Sequence, residues 1–543
     1  MKGGDSMIIC FTKSFKTTKI FTLLFLIQLF LNSFIYSQSQ NEFHLLGEFS
    51  STANEVSGEG STNSSLSKGA FYLTTLNANW NGSNEIFDYN LNLGTKITDD
   101  IRNDVKNFSL TNLQARFSNK IHTLNIGDIF GSFSKYSFNS SIKGFQYKYY
   151  NENINLNDIS FLYGYAYPRW DSLWKDNDTK TIERKVFGGY ARYKLFSDFN
   201  IKLNIVSSVD SNRVNPTDLL YDSYIYALDL EYIPITGLTI NAETAFSDTK
   251  ESLSEDTPYA KYNGYAYRIE MVASADPSRV EIEYEKVEPK FQSLLGYATS
   301  DRERFKIKWR YKLSKLVNIN TGFLWYRNNL NGEKDYTTEN YKPEISIILN
   351  QLFKRSYSRF DISYKINNQK GGNEIFDNYI NLGYRDRFGF IDNEINLGYT
   401  IYDTKNIRNS KEYTYNTSFS FRKTLNELVL RPSLYLGGWT SNDEINNTLD
   451  QTYEYSLGLS IDLPNKNINS NFKLGQNILD KEKGDDTKKT FLNFSFYYKP
   501  NFLSVYNHQS ALFLRIYYND YKSSNTSNDF KETSITTGIN IGI

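Results

Sequence analysis

Two stretches of this sequence carry charge at a spacing that could act on ions. Between Val280 and Lys286 the residues Glu281, Glu283 and Glu285 alternate with Val280, Ile282 and Tyr284. Further on, Arg304, Lys306, Lys308, Arg310 and Lys312 alternate with Phe305, Ile307, Trp309 and Tyr311. In an extended strand successive side chains point to opposite faces, so each charged set shares one side of a sheet. Consecutive antiparallel strands would set the acidic row against the basic one. Such a ladder either neutralises itself and braces the wall, the reading the pattern favours, or sets up a transverse field that selects ions. If its pairs are solvated, each contributes ~0.2–1 kcal/mol and single truncations barely alter folding.

Other candidate chemistry is sparse. Asp171-Ser172-Leu173 resembles a nucleophilic serine block, but no glycine precedes it and no histidine is near in sequence. The three histidines, His44, His122 and His508, are far apart and form no metal-ligand spacing. The single cysteine, Cys10, lies in the N-terminal segment, which excludes thiol ligands and disulfides from the rest. The reading is therefore of a non-enzyme with no catalytic residues, no metal site and no cofactor. Trp170 and Trp174, in a polar segment at 168–184, mark a possible surface binding loop or an aromatic anchor. The segment 128–144, rich in Ser and Phe and poor in charge, suits a constriction folded inward.

The elements that position these residues follow from periodicity. Leu238, Ile240, Ala242, Thr244 and Phe246 alternate with other residues, as do Tyr413, Tyr415, Thr417, Phe419 and Phe421, and Ile535, Thr537, Ile539, Ile541 and Ile543. Period-two alternation is the strand signal. It recurs from Phe43 to the end, giving about 26 strands, with a range of about 22 to 26. Short turns fall at 118–119, 196–198, 234–236, 314–316 and 425–427, with longer turns at 79–87 and 500–508. Between them lie longer polar connections at 50–68, 168–184, 209–220, 248–263, 288–303, 328–340, 441–452 and 520–531. Alternating short and long connections is the habit of an outer-membrane barrel. The pentapeptide 84–88 returns at 373–377, which reads as shared strand composition rather than a repeat architecture.

Composition agrees. Aromatics reach 16% with negative mean hydropathy. Beyond the N-terminal segment no apolar run approaches the ~18 residues of a spanning helix. Lys13, Lys16 and Lys19 precede an apolar run from Ile20 to Leu31, then Ser37-Gln38-Ser39-Gln40. That order is a secretory signal. Residues 1–37 are expected to be the signal peptide, cut after Ser37 or Ser39, and 38–543 the barrel. The chain has 61 basic and 61 acidic residues, and the signal removes four lysines and one aspartate, leaving a slight acidic excess. Such a balance gives no reason to expect nucleic acid as a partner. Strands begin soon after the expected cleavage site, leaving no room for an N-terminal plug.

The signal, the Tyr-rich alternating strands and the loop parity resemble the large porin-like outer-membrane barrels. The chain departs from their common aromatic terminus by ending Asn540-Ile541-Gly542-Ile543. The resemblance implies an all-β fold: a single transmembrane antiparallel up-and-down barrel in a bacterial outer membrane, with both termini periplasmic. It also implies outer-membrane lipid and the barrel-assembly machinery as partners. The implied function is a pore or conduit for small solutes. The alternative is a scaffold barrel sheathing an inserted protein partner in its lumen, a multihaem cytochrome or a surface lipoprotein, in a transport or electron-transfer complex. A barrel this wide would leave a harmful hole unless a partner or inward-folded loops filled it.

Overall fold

The structure is a computed structural model that describes residues 41–174, 181–215, 217–252, 260–503 and 510–542. The expected signal peptide lies outside the described residues. Twenty-six antiparallel strands form one closed barrel. The segments Arg408–Phe421 and Lys423–Leu425 are one strand interrupted at Arg422, since both pair with Leu428–Asp443. Every strand pairs with its neighbours in sequence, and Glu42–Ser57 closes the ring on Phe530–Gly542, from Leu46↔Gly542 to Ser57↔Lys531. Closure leaves no edge with unpaired backbone groups, which a lipid environment requires.

The shortest main strands, such as Leu156–Tyr165 and Ser278–Val287, have 10 residues and the longest, such as Leu428–Asp443, have 16. Spanning a bilayer takes ~9–11 tilted residues. Among the described residues no helix is long and apolar enough to cross a membrane; the strands do so. The outer face carries large exposed side chains at alternate positions, among them Leu203, Ile205, Tyr224, Tyr226, Tyr265, Tyr267, Ile269, Tyr453, Tyr455 and Leu457. A closed barrel with an apolar, Tyr-rich outside is a porin-like barrel of a bacterial outer membrane.

One end holds the tight turns, such as 197–198, 236–237, 276–277 and 426–427; the other holds the longer connections 58–68, 99–107 and 288–301 and the segment 166–174. The parity read from the sequence is clearest over the first two thirds of the chain. Later connections at the long-loop end, 371–374, 405–407 and 444–447, are as short as turns. The expected loop 441–452 is mostly strand, because Asp450 to Asp443 continue to pair across Ser441↔Asp450 and Asp443↔Thr448. The same extension shortens 50–68 to 58–68 and 520–531 to 524–529. It also carries strands into 248–263, up to Ser252 and from Ala260. Polarity alone marks neither loop nor strand where both faces of a rim are wet. The copies at 84–88 and 373–377 sit at opposite ends of the barrel, so they are not equivalent structural units.

Candidate functional site in the lumen

Alternation places Glu281, Glu283 and Glu285 on the inner face of Ser278–Val287, with Tyr284 outside. The next strand, Arg302–Lys312, pairs with it in the register Glu281↔Lys308, Glu283↔Lys306 and Glu285↔Arg304. The ion pairs run diagonally. Lys306 reaches Glu281 at 2.7 Å and Glu283 at 3.5 Å, while Arg304 reaches Glu283 at 2.9 Å and Glu285 at 2.7 Å. Arg268, one strand back, joins Glu283 at 2.8 Å and Glu270 at 2.9 Å. The structure brings together six of the eight ladder residues' charges around this network, through Arg304, Lys306 and the three glutamates, with Lys308 beside Glu281 in register. Arg310 and Lys312 extend the row toward the short-turn end without a carboxylate.

Beside the ladder the lumen is filled by a piece of the wall itself. The strands His122–Ser134 and Phe138–Tyr150 form a hairpin whose lower parts belong to the barrel. Pairing with Phe108–Ser118 stops at Gln114↔Gly127, and pairing with Leu156–Tyr165 stops at Lys143↔Tyr165. Above those points the hairpin leaves the wall and folds inward. Glycine makes the departure possible. Gly127 has φ +100°, and a Cβ there would lie 2.0 Å from the Leu113 carbonyl oxygen; a Cβ on Gly144 would lie 2.0 Å from that of Tyr163.

The hairpin tip is a core of its own. Phe133, Tyr136 and Phe138 are at most 2% exposed. Phe133 and Phe138 pack in one cluster with Ile129, Ile142, Leu162, Val186 and Val206. Tyr136 packs in a second with Ile225, Ala227, Ala245, Ala266, Val287 and Phe291. Most of these are lumen-facing positions that elsewhere in the barrel are polar. Burying a large apolar side chain contributes roughly 1.5–3 kcal/mol, so the three rings supply a substantial part of what holds the hairpin in place. The connection 288–301 also folds inward and caps the tip. Asn139 N–H donates to the Leu295 carbonyl at 2.7 Å, Tyr297 N–H to that of Lys135 at 2.6 Å, and the Ser293 hydroxyl to that of Tyr136 at 2.6 Å.

Charge locks the tip to the ladder. Lys135 Nζ lies 2.6 Å from Glu285 and 3.3 Å from Glu283. The Tyr136 hydroxyl donates to Glu285 at 2.9 Å, its backbone N–H donates to Glu243 at 2.9 Å, and Lys202 donates to the Phe133 carbonyl. Glu283 and Glu285 are therefore each only 5% exposed. Glu281 is left more open than these two, so the expectation of weak, solvated pairs does not extend to Glu283 and Glu285. Removing one partner from a buried network costs ~3–5 kcal/mol.

The Trp-bearing connection packs at the root of the hairpin. Trp170 Nε1 donates to Asp128 at 2.7 Å, and Lys143, itself 2.7 Å from Asp128, lies over the Trp170 ring at 5.0 Å. Arg169 donates to Asp104 at 2.8 Å and to Ser109 at 2.7 Å. Burial raises the pKa of Asp104, but hydrogen bonds from Lys96, the Lys106 backbone, Arg169 and Ser109 outweigh it and hold the carboxyl well below its usual range. Trp170 is thus partly spent on the hairpin root, and the Trp174 side chain lies outside the described residues. Ser172 is buried at the long-loop end. His122, bonded to the Tyr147 hydroxyl at 2.7 Å, is at the other end, and His508 is outside the described residues.

Sequence reasoning reached the ladder and the inward segment 128–144 but missed the residues that receive it. The available signal was strands with apolar residues on both faces. In Phe199–Ser211, Leu203 and Ile205 face outward while Val206 faces in; in Leu220–Ile235, Tyr224 and Tyr226 face outward while Ile225 and Ala227 face in.

No protein-family description and no curated protein matches this chain. Among solved structures it is similar to the P pilus usher (PapC) translocation pore, at 9% identity and TM-score 0.43, covering 92% of this chain and 100% of that one. It is also similar to the outer membrane transporter YddB from Escherichia coli, at 9% identity and TM-score 0.41, covering 93% and 81%. A third likeness is to Pseudomonas aeruginosa OccK5 (OpdH), at 10% identity and TM-score 0.33, covering 67% and 98%.

Proposed function

We propose that this barrel is a conduit for small polar solutes, narrowed by its own hairpin. The observation that carries the reading is the inward fold of 128–144. With 288–301 it covers the inner face of one sector, from Leu156–Tyr165 to Ser278–Val287. The inner face of the opposite sector carries no inward segment among the described residues and is polar: Asn320, Ser346, Ser363, Asn381, Asn396, Asn416 and Ser456 lie on it. Wide barrels without a filling element leak, so a hairpin built into the wall supplies what an N-terminal plug would. In this reading the long-loop end faces outside the cell, and both termini are periplasmic.

The test is conductance of the purified full chain in planar bilayers. Replacing 132–139 by a short Gly-Ser turn should raise single-channel conductance severalfold. Unchanged conductance would sink the constriction. Mass spectrometry of material purified in mild detergent tests the scaffold alternative: a stoichiometric protein in the lumen would replace the solute reading with the sheathing one.

A further inference from the structure

The ladder is not neutral along its length. Toward the long-loop end its charges are matched. Arg268, Arg304 and Lys306 each meet a carboxylate. Toward the short-turn end the matching stops. Arg279 stands directly opposite Arg310, Lys308 is one pair above on the same face, and Lys312 is one below. All four are exposed. None has an ion pair among the described residues; the nearest carboxylate in register, Glu281, is taken by Lys306.

Like charges directly opposite each other on a sheet are destabilising. Lipid is not what hides these cations. The outward neighbours Trp309 and Tyr311 stack at 5.4 Å and face the membrane, so the cations face the lumen. On the next strand Asn318 and Asn320, in register with Lys312 and Arg310, add amide donors to the same face.

We infer that Arg279, Lys308, Arg310 and Lys312 form a binding site for a small multivalent oxyanion, a solute bearing two or more phosphate or carboxylate groups, at the short-turn mouth of the lumen. A single charge would leave most of the repulsion in place; a multivalent one bridges cations two pairs apart on one strand and one across. Such charge-assisted hydrogen bonds are the stronger kind. The inference rests on the conduit reading for its role, since the site would select what passes, but its occupancy can be read without conduction.

The experiment is calorimetric titration of the detergent-purified full chain with tripolyphosphate, and separately with citrate, at low ionic strength. Both should bind, more weakly as salt is added. The triple variant Lys308→Gln, Arg310→Gln, Lys312→Gln should weaken binding by about tenfold or more. Arg359→Gln, at the same mouth but paired with Asp361 at 2.8 Å, should change it less than about twofold. Equal loss in both variants, or none in the triple, overturns the site. If the triple variant loses heat-modifiable migration, Lys308→Gln and Arg310→Gln alone should each weaken binding by about threefold, and no effect from either overturns the site. A chain that binds tripolyphosphate yet conducts nothing keeps the site and ends the conduit reading. A conducting chain that binds neither anion does the reverse.

Discussion

Two sectors of one wall differ in what their inner faces do. Seen from outside they are alike: Tyr226, Phe246 and Tyr265 on one match Tyr413, Tyr415 and Tyr453 on the other. Inside, the sector around residues 199–287 presents Val206, Ile225, Ala227, Ala245, Ala266 and Val287 and is buried by the hairpin. The sector around 317–463 presents Asn320, Ser346, Asn381, Asn396 and Ser456 and carries no such cover among the described residues. The same strand pattern thus makes a lumen lining or half of a hydrophobic core, depending on a few small apolar residues at inward positions. Membrane insertion constrains the outer face only, which leaves the inner face free to specialise.

The largest expected effect comes from breaking the dry sector at its centre. Tyr136→Ala removes a ring that is wholly buried and bonded to Glu285, at a cost of about 3–5 kcal/mol to hairpin docking. Limited proteolysis should cut near 135–137 in the variant and not in the parent, with the barrel intact by heat-modifiable migration. Resistance in both would mean the hairpin is held by something other than its tip.

A smaller effect should separate the two ends of the acidic row. Glu283→Ala leaves Arg268, Arg304 and Lys135 facing one another around a buried gap, and should cost about 3 kcal/mol. Glu281→Ala, at a half-buried pair nearer the open lumen, should cost less, about 1 kcal/mol. Urea unfolding followed by tryptophan fluorescence reads both. Equal costs would show that the hairpin does not seal the network.

The smallest perturbation sharpens the map. Cysteines at 308 and 310 should react quickly with a small water-soluble thiol reagent, and a cysteine at 306 more slowly, because Lys306 sits within the ion-pair network while Lys308 and Arg310 are exposed. Cysteines at 305, 307 and 309 should react only with a membrane-permeant reagent. Equal labelling of both sets would remove this hairpin from the membrane wall.

The alternation of the charged rows and the strand count were legible in the sequence because each rests on period two, a property that neighbouring residues carry by themselves. That the two rows face each other followed from their being consecutive strands; the register of Glu283 against Lys306 is set by the structure. Less legible were the strand ends. Ser441 and Asp450 are polar and would suit a loop, yet they pair across the rim.

What the amino-acid sequence determined alone is therefore the barrel and the side of the wall on which each residue stands, since alternation is local and lipid enforces it. What only the tertiary structure decided is which wall the hairpin at 128–144 meets once it turns inward. Its composition and the glycines at 127 and 144 allow the turn but do not encode the choice of wall. That choice depends on a fit between Tyr136 and residues such as Ala227, Ala266 and Phe291, up to 155 positions away in the chain, and on Lys135 meeting Glu283 and Glu285 of one distant strand. Contacts of that range are invisible to neighbouring residues because they need the inner face of the wall as a surface to bind.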